Sequence, residues 1–270
     1  PPPNPSGRAG LLIVSHPYQV VFPCSRRDVT DKVRGGDHVQ ASIDHQPSFA
    51  WLKVQLNPGE IIQAEAGAMV TMTPGLPMST RLNAGRGGFF RKIMAFFVAL
   101  VRKFIGGETF FVNQFGGAGG GEVVLAPALS GDITQVSMTP NTPPLIIQSG
   151  AYLASTGDID TKLKWGGFRA LFGGEGLFFM ECSGNGELFL NSYGGIVEIP
   201  CNGRYIVDTG HIVAFDADLN FKIKTPGGGV LGFLGSGEGL VMEFQGQGRI
   251  WMQSRNVSAL VGWVSPMLPM

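Results

Sequence analysis

Residues 173–190 read Gly173-Gly174-Glu175-Gly176-Leu177-Phe178-Phe179-Met180-Glu181-Cys182-Ser183-Gly184-Asn185-Gly186-Glu187-Leu188-Phe189-Leu190. This is a glycine bend, a short apolar run, a Gly-x-Gly and a second apolar run. Apolar runs this short, rich in Phe and Leu and bounded by glycine, read as strands rather than helices. The same order recurs on both sides. Upstream stand Gly106-Gly107-Glu108-Thr109-Phe110-Phe111 and Gly119-Gly120-Gly121-Glu122-Val123-Val124-Leu125. Downstream stand Gly235-Ser236-Gly237-Glu238-Gly239-Leu240-Val241 and Gly246-Gln247-Gly248-Arg249-Ile250-Trp251-Met252. The glutamates lie 67 and 63 positions apart (175 − 108 and 238 − 175), so one unit is about 65 residues long.

A second signal alternates with the first: a small residue, glycine, then an apolar run. It occurs as Ala66-Gly67-Ala68-Met69-Val70, Ser149-Gly150-Ala151-Tyr152-Leu153 and Thr209-Gly210-His211-Ile212-Val213. Just upstream of each lies another stretch of β-formers, Ile61-Ile62, Leu145-Ile146-Ile147 and Tyr205-Ile206-Val207. Together the signals predict an all-β protein of three repeated β-sandwich units around a pseudo-threefold axis, with one inserted amphipathic helix. The units are placed at 46–132, 133–198 and 199–264. They follow a partly extended, proline-bearing arm over 1–45 and precede a short tail over 265–270. Each Gly-x-Gly, and the glycine-rich stretch 116–121, is expected to be a hairpin turn, because glycine reaches positive φ without steric cost.

The segment leading into each Gly-Gly-Glu-type bend is apolar, which is unusual for a loop. In the second it contains Trp165, Phe168, Leu171 and Phe172, and in the third Leu231, Phe233 and Leu234. In the first it extends over residues 89–105. On a helical wheel Arg91, Lys92, Ala95, Ala99, Arg102 and Lys103 share one sector. The opposite sector carries Phe89, Phe90, Ile93, Met94, Phe96, Phe97, Val98, Leu100, Val101, Phe104 and Ile105. Seventeen residues of helix reach about 25 Å, short of the ~30 Å hydrocarbon core of a bilayer. Such a helix suits the headgroup plane of an anionic membrane, where Lys and Arg stems snorkel. Covering an open sheet face, or meeting another copy or a protein partner, are the alternatives. If equivalent loops emerge at one end, they gather these side chains into one contact patch; folding inward to plug that end is the other reading.

Glu108, Glu175 and Glu238, each with its neighbouring Gly107, Gly174 or Gly237, are read as structural bend residues, the carboxylate accepting hydrogen bonds from nearby backbone N–H groups. Three converging carboxylates around a cation is the competing reading; no metal is expected.

Composition narrows the function classes. Of 270 residues, 41 are Gly and 18 Pro, so turns are frequent, yet 44% hydrophobic and 15% charged residues are compatible with a large core. Twenty basic and twenty acidic residues give zero formal charge, which supplies no long-range field for a polyanion, so nucleic acid is not an expected partner. Three cysteines, Cys24, Cys182 and Cys201, make neither a disulfide framework nor a four-thiolate zinc site, which suits a reducing compartment. Cys182 and Cys201 flank a predicted hairpin and are read as buried free thiols. The four histidines show no metal-ligand spacing, and neither a Gly-x-Ser-x-Gly elbow nor a phosphate loop is present. An enzyme is therefore not expected, nor a cofactor. His211, near Asp208 and Asp216, is the best single titrating candidate, against its reading as an ordinary strand histidine. The chain begins with Pro1 rather than Met, so a longer precursor is expected and the compartment is open.

The three bends, the three small-Gly turns and their alternation resemble the mitochondrial biogenesis, or altered-inheritance-of-mitochondria, family over about residues 46–264. That resemblance implies three fused copies of a β-sandwich like that of the tryptophan RNA-binding attenuation protein. It carries no established catalytic residues. It implies association with the mitochondrial inner membrane and its crista-organising and respiratory assemblies, with a cytoplasmic location as the alternative. RNA binding, which the attenuation-protein likeness suggests, is opposed by the neutral charge; Lys162, Lys164, Trp165 and Arg169 form the sole interleaved basic and aromatic stretch away from the helix. The expected role is a non-catalytic, membrane-associated or assembly-organising scaffold that self-associates as a homo-oligomer. The alternative is a soluble small-ligand-binding β-module with a pocket between units.

Overall fold

The computed structural model describes residues 39–82, 111–148, 150–165, 178–225 and 239–268. Sixteen strands and one helix are formed there. The first third contains β1 (Gln40–Asp44), β2 (Trp51–Leu56), β3 (Ile61–Glu65), β4 (Met69–Met72), β5 (Met78–Leu82), β6 (Phe111–Gly116) and β7 (Gly121–Leu125). The second contains β8 (Ile133–Met138), β9 (Leu145–Gln148), β10 (Tyr152–Thr156), β11 (Asp158–Trp165) and β12 (Phe178–Asn191). The last contains β13 (Ile196–Asp208), β14 (Ile212–Asp216), β15 (Asn220–Lys224), β16 (Val241–Gln253) and α1 (Val257–Val264). The protein is mostly β, and its strand ladders are antiparallel.

One sheet runs β1-β2-β7-β4; a twelve-stranded sheet follows the path β13-β16-β14-β9-β12-β10-β3-β6-β5, with β8, β11 and β15 branching from it. Period-two patterning explains the simplest strands. β2 buries Leu52, Val54 and Leu56 and turns Trp51, Lys53 and Gln55 outward; β3 buries Ile62 and Ala64. β10 and β14 bury every residue, as a strand does when both its faces are covered.

Three apolar clusters form the interior, and each crosses from one third of the chain to the next. The first joins Leu52, Val54, Ile62, Phe115 and Leu125 to Leu153, Ala154 and Phe189. The second joins Leu145, Ile147, Met180 and Leu188 to Val213, Ala214 and Trp251. The third holds Phe215, Leu219, Met242, Phe244 and Ile250 with Phe179.

Three expectations are corrected here. Strand β1 pairs with β2 from Gln40↔Gln55 to Asp44↔Trp51, so the folded body starts before residue 46, inside the segment read as an arm. His211 lies in a 3-10 turn, Thr209–His211, rather than in a strand.

The Gly-x-Gly stretches are not hairpin turns. Gly184-Asn185-Gly186 sits inside the single fourteen-residue strand β12, and Gly246-Gln247-Gly248 inside the thirteen-residue β16. The stretch 116–121 joins β6 to β7, which pair with different neighbours and not with each other. In β12 what demands glycine is close backbone approach. A Cβ on Gly184 would stand 2.0 Å from the Asp158 carbonyl oxygen and one on Gly186 2.3 Å from that of Thr156, and both glycines have positive φ. There β12 crosses the turn between β10 and β11 and passes from its ladder with β9 and β11 to its ladder with β8 and β10.

Candidate functional site

Nearly all the contact residues expected from sequence lie outside the described residues: Phe89, Phe90, Arg91, Lys92, Phe96, Phe97, Leu100, Arg102, Lys103, Phe104, Phe168, Leu171, Phe172, Leu231, Phe233 and Leu234. The same holds for the bend residues Gly107, Glu108, Gly174, Glu175, Gly237 and Glu238, and so for the amphipathic helix itself. Trp165 is the last residue of β11, and its backbone pairs with Phe178.

The strands that bracket these three segments are described, and they match. Residues 83–110 connect β5 to β6, which pair with each other up to Leu82↔Phe111. Residues 166–177 connect β11 to β12, paired up to Trp165↔Phe178. Residues 225–240 connect β15 to β16, paired up to Lys224↔Val241. Each apolar segment thus leaves and re-enters at the end of an antiparallel ladder.

A second set of correspondences runs through β4, β10 and β14. Each has a register shift near its start, at Met69/Thr71, Tyr152/Ala154 and Ile212/Ala214, where one extra residue bends the strand. At or just past the far end of each, a side-chain oxygen accepts a backbone N–H from the strand opposite. Glu122 N donates to Thr73 Oγ1 at 2.8 Å, Glu187 N to Thr156 Oγ1 at 3.0 Å and Arg249 N to Asp216 Oδ2 at 2.8 Å. In the last case Arg249 also donates from Nε at 3.1 Å and Nη2 at 3.0 Å to the same buried carboxylate; this hydrogen bonding holds the guanidinium pKa above its ordinary value.

The surroundings of the three strands differ. β10 pairs with β3 through Ala154↔Ala64, Ser155↔Gln63 and Thr156↔Ile62, and β14 pairs with β9 through Ala214↔Ile147, Phe215↔Ile146 and Asp216↔Leu145. β4 pairs with β7 and, among the described residues, with no other strand, so it is a sheet edge. Val70 is 51% exposed where Leu153 and Val213 are 0% exposed.

A cleft of roughly 410 Å³ opens beside the β3–β10 junction. Glu60 and Ile61 form one wall, and Gly157, Asp158, Asn185 and Gly186 another. The Glu60 carboxylate already accepts the Asn57 backbone N–H at 2.6 Å, closing the turn before β3.

The remaining polar groups of interest are held by the frame. His211 Nδ1 donates to the Gln253 carbonyl at 2.7 Å, while Gln253 Nε2 donates to the Gly210 carbonyl at 2.9 Å. Asp208 Oδ1 accepts from Gly210 N at 2.8 Å, and Asp216 is engaged by Arg249. The trio noted from sequence therefore serves three separate contacts. Cys182 and Cys201 are free and buried; burial pushes the Cys182 thiol up to about 12 and raises that of Cys201. Lys162 faces Asp160 at 3.4 Å on the surface. Sequence reasoning missed buried Glu187, which accepts from Gln135 Nε2 and Ser137 Oγ, both at 2.8 Å; its place after Gly-x-Gly was the available signal. Among the described residues, no group of three or more His, Cys, Asp or Glu is arranged to hold a metal ion, and no helix is long and apolar enough to cross a membrane.

Bulged antiparallel strands, interiors shared between successive thirds of the chain and apolar segments set at ladder ends define a β-protein of linked segments. The chain belongs to the Mitochondrial biogenesis AIM24 family, whose sequence profile matches residues 41–255. It is 31% identical over 255 residues to the uncharacterized protein M6_Spy0233 of Streptococcus pyogenes serotype M6, covering 93% of this chain and 98% of that one. The crystal structure of protein SPYM3_0169 from Streptococcus pyogenes superimposes with a TM-score of 0.68 at 29% identity, covering 86% of this chain and all of the other.

Proposed function

We propose that the chain is three consecutive β-units joined edge to edge and that it serves as a non-catalytic scaffold, presenting one apolar segment from each unit to a membrane surface or a protein partner. The observation that carries this reading is the matched anchoring of residues 83–110, 166–177 and 225–240 between paired strands. The repeated bulge and the repeated side-chain-to-backbone bond at Thr73, Thr156 and Asp216 support the three-unit part. The units succeed one another through β3·β10 and β9·β14. A closed ring of three about one axis would need a further ladder between β4 and residues 204–208 of β13; none is formed among the described residues, so the reading is of an open succession.

The reading takes the ladder ends β5–β6, β11–β12 and β15–β16, which anchor the three segments, as equivalent positions of the three units. The basic and aromatic residues 89–105 then set the interaction chemistry, with anionic headgroups meeting Arg91, Lys92, Arg102 and Lys103. Family membership supports a mitochondrial membrane as the site of action. Flotation on anionic vesicles tests the reading. Wild type is expected to float and a Phe96→Asp, Phe97→Asp variant to stay in the dense fraction. Equal behaviour of the two, or flotation of neither, overturns the membrane arm. Retention of a protein partner by wild type but not by a chain lacking residues 89–105 would move the contact to protein.

The cleft between Glu60 and Asp158 favours a second reading, a small-ligand-binding module with its pocket at the junction of the first two units. Native mass spectrometry of gently purified protein tests it: a bound organic mass lost on Asn185→Trp supports the cleft, and a bare chain mass removes it.

A further inference from the structure

Strands β10 and β14 each lie against the upstream neighbour's strand, β3 and β9 respectively, so among the described residues the three-unit array has a vacant edge at either end. One is β4. The other is residues 204–208 of β13, which pair with β16 on one side only. We propose that copies of this chain join head to tail by sheet addition, β4 of one copy pairing antiparallel with residues 204–208 of β13 in the next. This rests on the three-unit reading and gives the scaffold its mode of self-association.

The two ends are complementary in register. Counting from the small-Gly positions, Ala64 and Ile147 correspond to Val207, and Gln63 and Ile146 to Ile206. Counting from the bulges, Ala154 and Ala214 correspond to Thr71, and Ser155 and Phe215 to Met72. The pairs seen within the chain, Ala154↔Ala64 with Ser155↔Gln63 and Ala214↔Ile147 with Phe215↔Ile146, therefore predict Thr71↔Val207 and Met72↔Ile206 between copies.

Burial shows the same two gaps. Each interior cluster that has a downstream neighbour takes residues from that neighbour's bulged strand: Leu153 and Ala154 in the first, Val213 and Ala214 in the second. The third cluster has no such contribution, and Ile206 beside it is 53% exposed. Val70 and Thr71, the residues that would supply it, are exposed at the other end. β4 reads Met-Val-Thr-Met; it is short and bulged but carries neither the charge nor the proline that also guard a free edge. The contact uses different surfaces on the two partners, so it closes into a ring where the rotation between copies permits and otherwise extends as a filament.

Disulfide trapping tests the register. Residues directly opposite in an antiparallel ladder have Cα atoms about 4.5–5.5 Å apart, within the roughly 4.4–6.8 Å a disulfide spans. In a Cys24→Ser background, a Met72→Cys chain mixed with an Ile206→Cys chain is expected to give a cross-linked heterodimer on mild oxidation. A Met72→Cys chain mixed with Val197→Cys is expected to give none. The internal control is Gln63→Cys with Ser155→Cys in one chain, which should close an intrachain bridge. If the control closes and the mixture stays uncross-linked, head-to-tail pairing is overturned while the three-unit reading stands. If the control stays open, both fall. Sedimentation of the full chain gives the second readout. Wild type should form species above 28.7 kDa as its concentration rises, and a Val70→Lys, Ile206→Lys chain should remain monomeric with unchanged far-ultraviolet circular dichroism. A wild type that is monomeric throughout, or a double variant that assembles equally, overturns the proposal.

Discussion

Strands β4 and β10 begin with the same bulge and end at a threonine that accepts a backbone N–H, yet β10 is buried throughout and β4 is largely exposed. Their compositions do not account for the difference: Met-Val-Thr-Met is as apolar as Tyr-Leu-Ala-Ser-Thr. What differs is the neighbour. β3 lies against β10, and no described strand occupies the corresponding side of β4. In this fold the burial of a strand is set by what the preceding part of the chain places beside it.

The largest expected effect contrasts Leu153 with Val70. Leu153→Ala leaves a cavity in the first cluster and is expected to lower stability by about 2–5 kcal/mol. Val70→Ala, placed in an Ile206→Lys background to keep the edge free, should change it by less than about 0.5 kcal/mol. Urea denaturation of the pair checks this; equal losses would mean that Val70 is covered by other means.

The next contrast uses the repeated hydrogen bond. Thr156→Val leaves the Glu187 N–H without its buried acceptor and should cost about 1–3 kcal/mol. Thr73→Val, where water reaches the freed Glu122 N–H, should cost about 0.5 kcal/mol or less. Thermal melts with matched denaturant curves read both, and a Thr73 loss as large as that of Thr156 breaks the distinction between open and enclosed units.

Thiol reactivity probes the enclosed side. With its thiol near 12, Cys182 holds only about one part in 10⁴ as thiolate at pH 8, and it is shielded as well. Peptide mass mapping after iodoacetamide should find Cys182 unmodified in the native chain and modified in guanidinium. Labelling in the native chain would show that the second cluster opens readily.

The smallest effect belongs to the other vacant edge. Glu243 lies opposite Ile206 on the β13–β16 ladder, and its carboxyl is held below the ordinary range by hydrogen bonds from Lys224 and Arg204. A depressed folded-state value contributes stability that is present above the unfolded value and disappears as pH falls through the folded one. Glu243→Gln should therefore lower stability slightly above about pH 6, with the difference from wild type shrinking as pH falls below the ordinary Glu value of about 4.3. Acid titration of both proteins by fluorescence measures the difference, and a larger change near pH 3 than near pH 7 would contradict the sign.

Much of the frame was legible in the residues. Short apolar runs between glycines marked the strands, because a strand needs alternate apolar positions and few residues. The small-Gly positions marked the turns into β4, β10 and β14. The role of Gly-x-Gly was misread, since glycine signals either a tight turn or close backbone approach, and spacing along one chain does not separate the two. The edges at β4 and β13, the partners of His211 and the cleft beside Glu60 had no sequence signal, because each depends on residues far apart in the chain. The segments carrying the candidate contact residues from Phe89 to Leu234, chosen from sequence for their apolar and basic character, are bracketed by described strands.

Sequence alone determined that this chain is a β-protein of its family: glycine spacing, apolar periodicity and neutral charge are local or summed properties that survive unfolding on paper. Only the tertiary structure decided which strands meet, which bulged strand is covered and which is left open. Lateral hydrogen bonding in a sheet joins residues of high sequence separation, and backbone N–H and C=O groups carry no residue-specific label to announce their partner.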